Sequence, residues 1–429
     1  MRKVFIRGMG MVTPLGLNCG DSFAAAVLGK SAITVAPASI LKLLPNALAA
    51  SVSKNFELEQ SRASAGLDRA TQFALVAAQE ALQDADFEAT EDQRSRTGVY
   101  VGIGNGGAST VDALYTRFFE LLQLSATENR DPTVMHPLAV PRMMANAGAA
   151  AVTIQHQLRG QSYTYSIACA SSSVALGEAY RALRHGYIDT AIVIGTEAIL
   201  TPGSYVAWNA LRVMAKKRDD APEASCRPFD AQRTGFVLGK GAAALVLEAE
   251  GVAPTCRRVP YAELCGYGST TDGMHITLPS TQGQTHAMKI ALADAGLPLD
   301  AIGYINAHGT ATTAGDATET ESIKAVFGQH ANKLAISSTK AVHGHLIGAG
   351  GALEFALSVM ALATGSIPPT AHLDHPDPAC DLDFVPLVAR HSVPLQAVMS
   401  NSFAFGGVNA ALIARKVDTC CAVRASFIS

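Results

Sequence analysis

The sequence predicts an α/β protein built from two related halves. Three observations carry that prediction. β-rich apolar runs alternate with stretches of helical periodicity along most of the chain. The order of these elements resembles itself on either side of a Pro- and Gly-containing stretch near 249–260. A chain of 429 residues that is 48% hydrophobic and 16% charged also supplies enough apolar surface for an extensive core.

The first half opens with "KVFIRGMGMVTPLG", a strand running into a Gly/Pro turn, and continues with a helical pattern over 68–84. "TGVYVGIGNGG" reads as a buried strand closed by a glycine loop, and a second helical pattern spans 141–158. "TYSIA" reads as a short buried strand; from Ser171 the apolar positions Val174, Leu176, Ala179, Ala182 and Leu183 fall at helical spacing. "DTAIVIGTEAIL" and "GFVLGKGAAALVLEAE" complete this half as β-rich runs. Beyond "AEGVAPTCRRVP", the second half reads as a strand "YAELCGYGS", a helix near 283–295, a strand "IGYINAHGT", a helix near 316–328 and a strand "LAISST". Its last helix, in "GAGGALEFALSVMALATGSI", echoes "SSVALGEAYRALRHGYI": small residues first, "AL" early, glycine near the end. The halves are assigned to 1–250 and 258–429, and such a duplication would bring loops from both to one central site.

Composition narrows the function. A net charge of −3 gives no basic field, so nucleic acid is not an expected partner. The basic start is interrupted by Arg7 and glycines before an apolar leader forms, and later apolar stretches are too short or too broken to span a bilayer. The expectation is a cytoplasmic protein without integral membrane association. The cysteines at 19, 169, 226, 256, 265, 380, 420 and 421 show neither a CxxC pair nor zinc-site spacing. Reduced thiols and no metal are expected. "GIGNGG" lacks the remaining spacing and acidic residue of a dinucleotide site, which leaves a tight turn.

Three residues stand at strand ends where α/β proteins usually hold ligands. Cys169 lies between "TYSIA" and the helix from Ser171, where a helix N-terminus would favour thiolate. An unpaired cysteine is more often a small buried hydrophobe, and a lone histidine a satisfied structural one. His308 in "INAHGTATTAGD" and His345 in "SSTKAVHGHLIGAGG" nevertheless occupy equivalent strand-end loops of small residues. Together they make a Cys-His-His set suited to nucleophilic chemistry.

"ACASSS", "NAHGTATTAGD", "SSTKAVHGHLIGAGGALE" and "SNSFAFGGVN" resemble the motifs of β-ketoacyl-acyl-carrier-protein synthases, especially the elongating type II enzymes. The resemblance runs from "GMGMVTPLG" to Asn409. It implies a thiolase fold, a duplicated five-layer αβαβα sandwich, normally dimeric. It further implies that Cys169 carries an acyl chain received from acyl carrier protein, while His308 and His345 stabilise the enolate left when a malonyl thioester loses carbon dioxide. Backbone N–H groups of Cys169 and Phe405 would hold the oxyanion. Lys340 is carried over as a supporting charge with Glu354 as its partner, and Asp316 as a loop-ordering residue that caps the following helix. Phe405 matches the gating phenylalanine, with Gly406 and Gly407 letting its loop move. No cofactor is implied, since substrates ride on the carrier's phosphopantetheine.

Three positions depart from the family pattern: Ala404 replaces the glycine before the gate, His343 a threonine, and Lys240 an acidic residue. His343 is read as a size substitute rather than a pH-sensitive neighbour, and the altered gate favours specialised polyene or polyketide elongation over fatty-acid synthesis. Arg62, Arg69, Arg212, Lys216, Lys217 and Arg218 are candidates for docking an acidic carrier protein. The partner in the dimer would be a second copy or a chain-length-factor paralogue. Two other readings stand beside this one: that the chain is itself such a non-catalytic factor, or a thiolase-like condensing enzyme acting on coenzyme A esters. Cys169 with both histidines opposes the first, and the paired HG motifs oppose the second.

Overall fold

The computed structural model describes residues 1–53, 56, 66–128, 131, 133 and 135–417. Its frame is one unit used twice. The first copy comprises β1 (Val4–Val12), α1 (Arg69–Asp84), β2 (Thr97–Gly102), α2 (Ala147–His156), β3 (Ser162–Tyr165), α3 (Ser171–His185), β4 (Thr190–Glu197) and β5 (Gly241–Ala249). The second comprises β6 (Ala262–Thr271), α4 (Thr281–Ala295), β7 (Ile302–Asn306), α5 (Thr313–Phe327), β8 (Ala335–Ser337), α6 (Gly350–Thr364), β9 (Ala397–Phe403) and β10 (Val408–Arg415).

Strand order is β3-β2-β4-β5-β1 in one copy and β8-β7-β9-β10-β6 in the other. In each, the three strands linked by helices pair in parallel and the remaining pairings are antiparallel. The copies meet edge to edge where Val4, Phe5 and Ile6 of β1 pair with β6. α1 and α2 cover the outer face of the first copy, α4 and α5 that of the second, and α3 and α6 pack together between them. This is the five-layer thiolase arrangement.

Matching glycines explain how the outer helices sit. On β1, a Cβ at Gly10 would lie 2.2 Å from the Ala77 carbonyl of α1; on β6, one at Gly268 would lie 2.1 Å from the Ala287 carbonyl of α4. The G-x-G pairs in "RGMGM" and "CGYGS" therefore let helix backbone rest directly on strand. Small residues do the same for the central pair: Ser172 Oγ accepts the Ala352 N–H at 2.8 Å, and a Cβ on Gly351 would lie 2.1 Å from Ser173 Oγ. The N-termini of α3 and α6 thus meet at the centre, each just after a strand end.

Two local expectations are corrected. The stretch 141–158 is not one helix but two, Ala139–Met143 and α2, because Gly106 and Gly107 press backbone to backbone on residues 143–145. β3 is an edge strand paired only with β2 and exposes Ser162 and Tyr163, so it is not buried. A helix at Ala108–Glu128, not assigned from the sequence, also follows the glycine loop.

Replacing Gly10 by Ala should cost about 1–3 kcal/mol through overpacking. Gly20→Ala, near the start of helix Cys19–Val27 where the nearest contact is an ordinary 3.5 Å, should be neutral or stabilising by up to ~1 kcal/mol. Urea unfolding at one fixed protein concentration separates the two.

Candidate active site

Cys169 occupies a tight turn, Ala168–Ala170, directly before α3. Ala168 is held in the left-handed region at φ +43°, and Ser171 staples the turn: its Oγ accepts the Ile167 N–H at 2.8 Å and donates to the Ala168 carbonyl at 2.7 Å. A non-glycine residue held there costs on the order of 1–3 kcal/mol. The turn is therefore built, and it delivers the sulfur to the junction of the two copies with 6% exposure.

His308 follows β7 and His345 follows β8, at corresponding ends of neighbouring elements. His345 Nε2 lies 3.0 Å from Cys169 Sγ, the two rings stand edge to face at 5.5 Å, and the donor atoms of all three residues fall within 4.8 Å of one another. The backbone of His345 is clamped to a short strand, donating to Val237 at 2.7 Å and accepting from Gly239 at 2.8 Å.

What each ring faces on its other side decides its chemistry. His345 Nδ1 accepts the Ile347 N–H at 3.2 Å, and His308 Nδ1 lies 3.5 Å from Lys340 Nζ. With donors at both Nδ1 atoms, each neutral ring carries its proton on Nε2, toward the cleft. Burial, reinforced by the Lys340 charge, holds both imidazoles well below the ordinary histidine range. They stay neutral. A metal-ligating histidine usually directs its distal N–H to an acceptor; here the distal nitrogens face donors, so the three side chains do not suit a zinc ion despite their closeness.

Lys340 is fully buried and paired with Glu354 of α6 at 2.5 Å. Burial pushes the Glu354 carboxyl up to about 7, with Lys340 opposing. Two further buried carboxylates went unrecognised in the sequence. Glu319 of α5 accepts from the backbone N–H of His308 at 2.9 Å and of Gly309 at 2.8 Å, and from Asn401 Nδ2 at 3.2 Å. Glu197 ends β4 and accepts only backbone N–H groups. Both read as an ordinary helix charge and strand end, because backbone donors leave no signature in residue types.

The Cys169 thiol departs from expectation. Burial pushes it up to about 12; the Lys340 charge and the N–H groups of Phe405 and Cys169 itself, which face the sulfur, oppose that without reversing it. Those two N–H groups form a pair of donors around one point. Phe405 follows β9 and stacks on Trp208 at 6.1 Å. Gly406 and Gly407 adopt φ of +87° and +79°, and Gly406 N–H donates to the Ile276 carbonyl at 2.7 Å. Ala404 has no such requirement, so alanine there is unstrained.

A cleft of about 270 Å³ descends to Cys169, His308 and His345 between Phe405, Leu278 and Thr310. Asp316 orders its wall, accepting from Phe229 N–H at 2.7 Å and Ala311 N–H at 3.1 Å. It does not cap α5, however: Thr312 does, accepting the Gly315 N–H at 3.2 Å, since Asp316 already lies inside the first turn. His343 is a hydrogen-bonded structural group. Its Nδ1 donates to Gly344 at 2.7 Å, its Nε2 accepts from Thr339 Oγ1 at 2.9 Å, and burial with Lys340 lowers it to about 3.

The basic residues divide. Arg212 and Lys216 are exposed on the loop whose Leu211 and Val213 line the cleft, while Lys217 and Arg218 pair with Asp219 and Asp220 at 3.5 and 3.2 Å. Arg69 is half-buried, stacked 4.5 Å from the ring of Phe56 and 5.0 Å from that of Phe73, and bonded to Gln72 Oε1 at 2.8 Å. Arg62 lies outside the described residues, as do Cys420 and Cys421. Lys240 is half-buried, and its amine is lowered by burial and then by Arg69.

A duplicated thiolase fold with a cysteine and two imidazoles at its centre defines a condensing enzyme. The β-ketoacyl synthase N-terminal domain matches residues 1–253 and the C-terminal domain residues 261–374. The chain belongs to the β-ketoacyl synthase family. The 3-oxoacyl-[acyl-carrier-protein] synthase 2 of Coxiella burnetii is 38% identical over 97% of this chain and 99% of its own length. The protein of that name from Synechocystis is 36% identical over 97% and 98%. Among solved structures, the ishigamide ketosynthase/chain length factor superimposes with a TM-score of 0.86 at 29% identity, covering 97% of this chain and 100% of that one. A type II PKS acyl-carrier protein in complex with its ketosynthase bound to the hexaketide contains a chain that matches at 0.88 and 27%, with the same coverage.

Removing one partner of the buried ion pair leaves the other uncompensated. Glu354→Ala should therefore lose about 3–5 kcal/mol in chemical unfolding, and Lys340→Met/Glu354→Leu together should recover much of it.

Proposed function

We propose that this chain is an elongating β-ketoacyl-acyl-carrier-protein synthase, carried by one observation: two neutral imidazoles aim Nε2–H groups at the same buried space as a cysteine sulfur. An acyl carrier thioester enters the cleft and the Cys169 sulfur attacks its carbonyl. The acyl group moves to sulfur, and the thiol proton leaves with the departing carrier thiol. A net thiolate is not required at rest, which suits a thiol held high by burial.

Malonyl carrier thioester follows. It loses carbon dioxide, and the negative charge arriving on its thioester oxygen is met by the Nε2–H groups of His308 and His345 in a site shielded from water. The enolate carbon attacks the acyl-Cys169 carbonyl, whose oxygen is held by the N–H groups of Cys169 and Phe405. Collapse releases the 3-oxoacyl carrier thioester and the Cys169 thiolate, which takes up one proton. Lys340, held by Glu354, keeps His308 neutral and oriented; the Phe405 loop, turning on Gly406 and Gly407, gates the acyl chain.

The substrate class is acyl and malonyl groups on an acyl carrier protein, docked through Arg212 and Lys216 at the cleft rim. Likeness to the ketosynthase/chain-length-factor assemblies supports specialised polyene or polyketide elongation. The exposed edge of β3 and the exposed Tyr115, Phe119 and Leu122 of helix Ala108–Glu128 support a dimer with a second copy or a chain-length-factor paralogue. A cytoplasmic location fits the burial of the apolar α6 segment inside the core. The coenzyme A alternative would need a second cysteine as base, and among the described residues Cys169 alone of the cysteines lines the cleft.

Intact-protein mass spectrometry after incubation with a panel of acyl carrier proteins tests the reading. An acyl adduct lost in Cys169→Ala, and 3-oxoacyl product lost in His308→Ala and His345→Ala, is the expected result; slower adduct formation in Lys216→Glu would support the docking face. Neither adduct nor product with any partner, including a co-expressed paralogue, would leave a non-catalytic subunit. Because both histidines are pushed downward, they remain uncharged as pH falls through the usual histidine range. The ring nitrogen-15 signals of His308 and His345 should accordingly stay those of neutral imidazoles between about pH 6 and pH 8. Titration of either ring with an apparent pKa near 6.5 would contradict the neutral-imidazole geometry.

A further inference from the structure

One buried carboxylate at the site has no part in the chemistry above. Glu197 Oε2 accepts from Gly104 N–H at 2.7 Å and Gly348 N–H at 3.1 Å, and its Oε1 accepts from Asn105 N–H at 3.2 Å. Gly104 and Asn105 belong to the glycine loop of the first copy, whereas Gly348 follows His345 in the second. A single side chain therefore clasps one loop from each half. Both glycines are needed for that approach: a Cβ on Gly348 would lie 2.2 Å from the Gly104 nitrogen, and one on Gly104 would lie 2.6 Å from Glu197 Oε2.

The consequence runs through one peptide unit. Gly348 is bonded to Ile347, whose N–H fills His345 Nδ1 at 3.2 Å. Ile347 holds φ +46°, a conformation that β-branched residues rarely adopt and that persists only where the surroundings over-determine it. Glu197 supplies that constraint by gripping the next N–H along the chain. Burial pushes its carboxyl up to about 8 while the N–H donors oppose, and its three partners are all donors, the set that an ionised carboxylate takes and that offers an acid O–H no acceptor.

We propose that Glu197 is a positioning residue for the condensation: by holding Gly348 against Gly104, it keeps the Ile347 N–H on His345 Nδ1 and so keeps the His345 proton on Nε2, aimed into the cleft. This rests on the reading of His345 as a donor to the enolate oxygen. A carboxylate accepts from every N–H around it, whereas glutamine presents one oxygen and turns an NH₂ group toward backbone donors. Glu197→Gln should therefore loosen the loop without changing the shape of the side chain.

The test compares full-length wild type, Glu197→Gln and Glu197→Asp by nitrogen-15 histidine NMR and by malonyl-carrier-protein decarboxylation. In the wild type His345 should show a bare Nδ1 and a protonated Nε2. In Glu197→Gln its two nitrogen signals should move toward a tautomer mixture while those of His308 and His343 keep their positions. Decarboxylation kcat should fall on the order of 10- to 100-fold, with KM within about two-fold and Cys169 still able to take an acyl group. Glu197→Asp should recover part of the kcat. Unchanged His345 signals in Glu197→Gln would overturn the proposal, as would a joint loss of all three histidine signals and of the Cys169 adduct in both variants. The imidazole signals are read without turnover, so a wild type that failed to decarboxylate would sink the catalytic reading while the result at Glu197 stood by itself.

Discussion

An imidazole can donate from Nε2 only while its Nδ1 is kept from carrying the proton, and the site meets that condition twice by different means. For His308 the guard is a cation, Lys340, which itself needs Glu354 to be tolerated with no exposure to water. For His345 it is a backbone N–H, which needs Ile347 held in a strained conformation. Both guards depend on α6, which supplies Glu354 and begins just after Ile347. The central helices can approach closely enough for this only because their first turns are serines, glycines and alanines.

Some of this was legible in the residues. Small residues opening α3 and α6 and polar groups at three strand ends are local patterns with local meaning, whereas the G-x-G pairs on the first strand of each copy show their purpose only once a helix backbone rests on them. The cysteine and both histidines could be found because imidazole and thiol are rare choices in loops of small residues. Glu197 and Glu319 could not, since their partners are peptide N–H groups, which every residue but proline carries. The break between the helices at 139–143 and 147–156 has no proline or glycine of its own; the chain that forces it is the loop at Gly106 and Gly107, far away in sequence. Burial of β3 likewise depends on whether a further strand pairs beyond it, which a four-residue run does not encode.

The residues that depart from the family pattern are reconciled with it locally. His343 fills its place by closing a chain of hydrogen bonds from Asn306 through Thr339 to the Gly344 carbonyl, at distances of 3.4, 2.9 and 2.7 Å. That chain stiffens the residue preceding His345 instead of adding a titrating group. Ala404 replaces a glycine at a position with ordinary backbone, while the turn itself keeps glycine at both left-handed positions. The Cys169 thiol illustrates the opposite outcome: a helix N-terminus was reason to expect thiolate, but removing the sulfur from water is the larger effect.

Contrary to the expectation that the later apolar stretches are too short or too broken to span a bilayer, the 18-residue segment Ile347–Thr364 is long and apolar enough to pass for a membrane span, yet it is 83% buried at the centre of this fold. It emerges late in synthesis, after α3 and the strands of the first copy, but before β9 and β10, which close over it. A growing chain therefore leaves the β9- and β10-facing side of this helix uncovered for the time needed to make about fifty further residues, roughly several seconds at ordinary translation rates. A message truncated in that interval would yield a product that membrane-insertion and chaperone systems could not tell by hydropathy from an unfinished membrane protein.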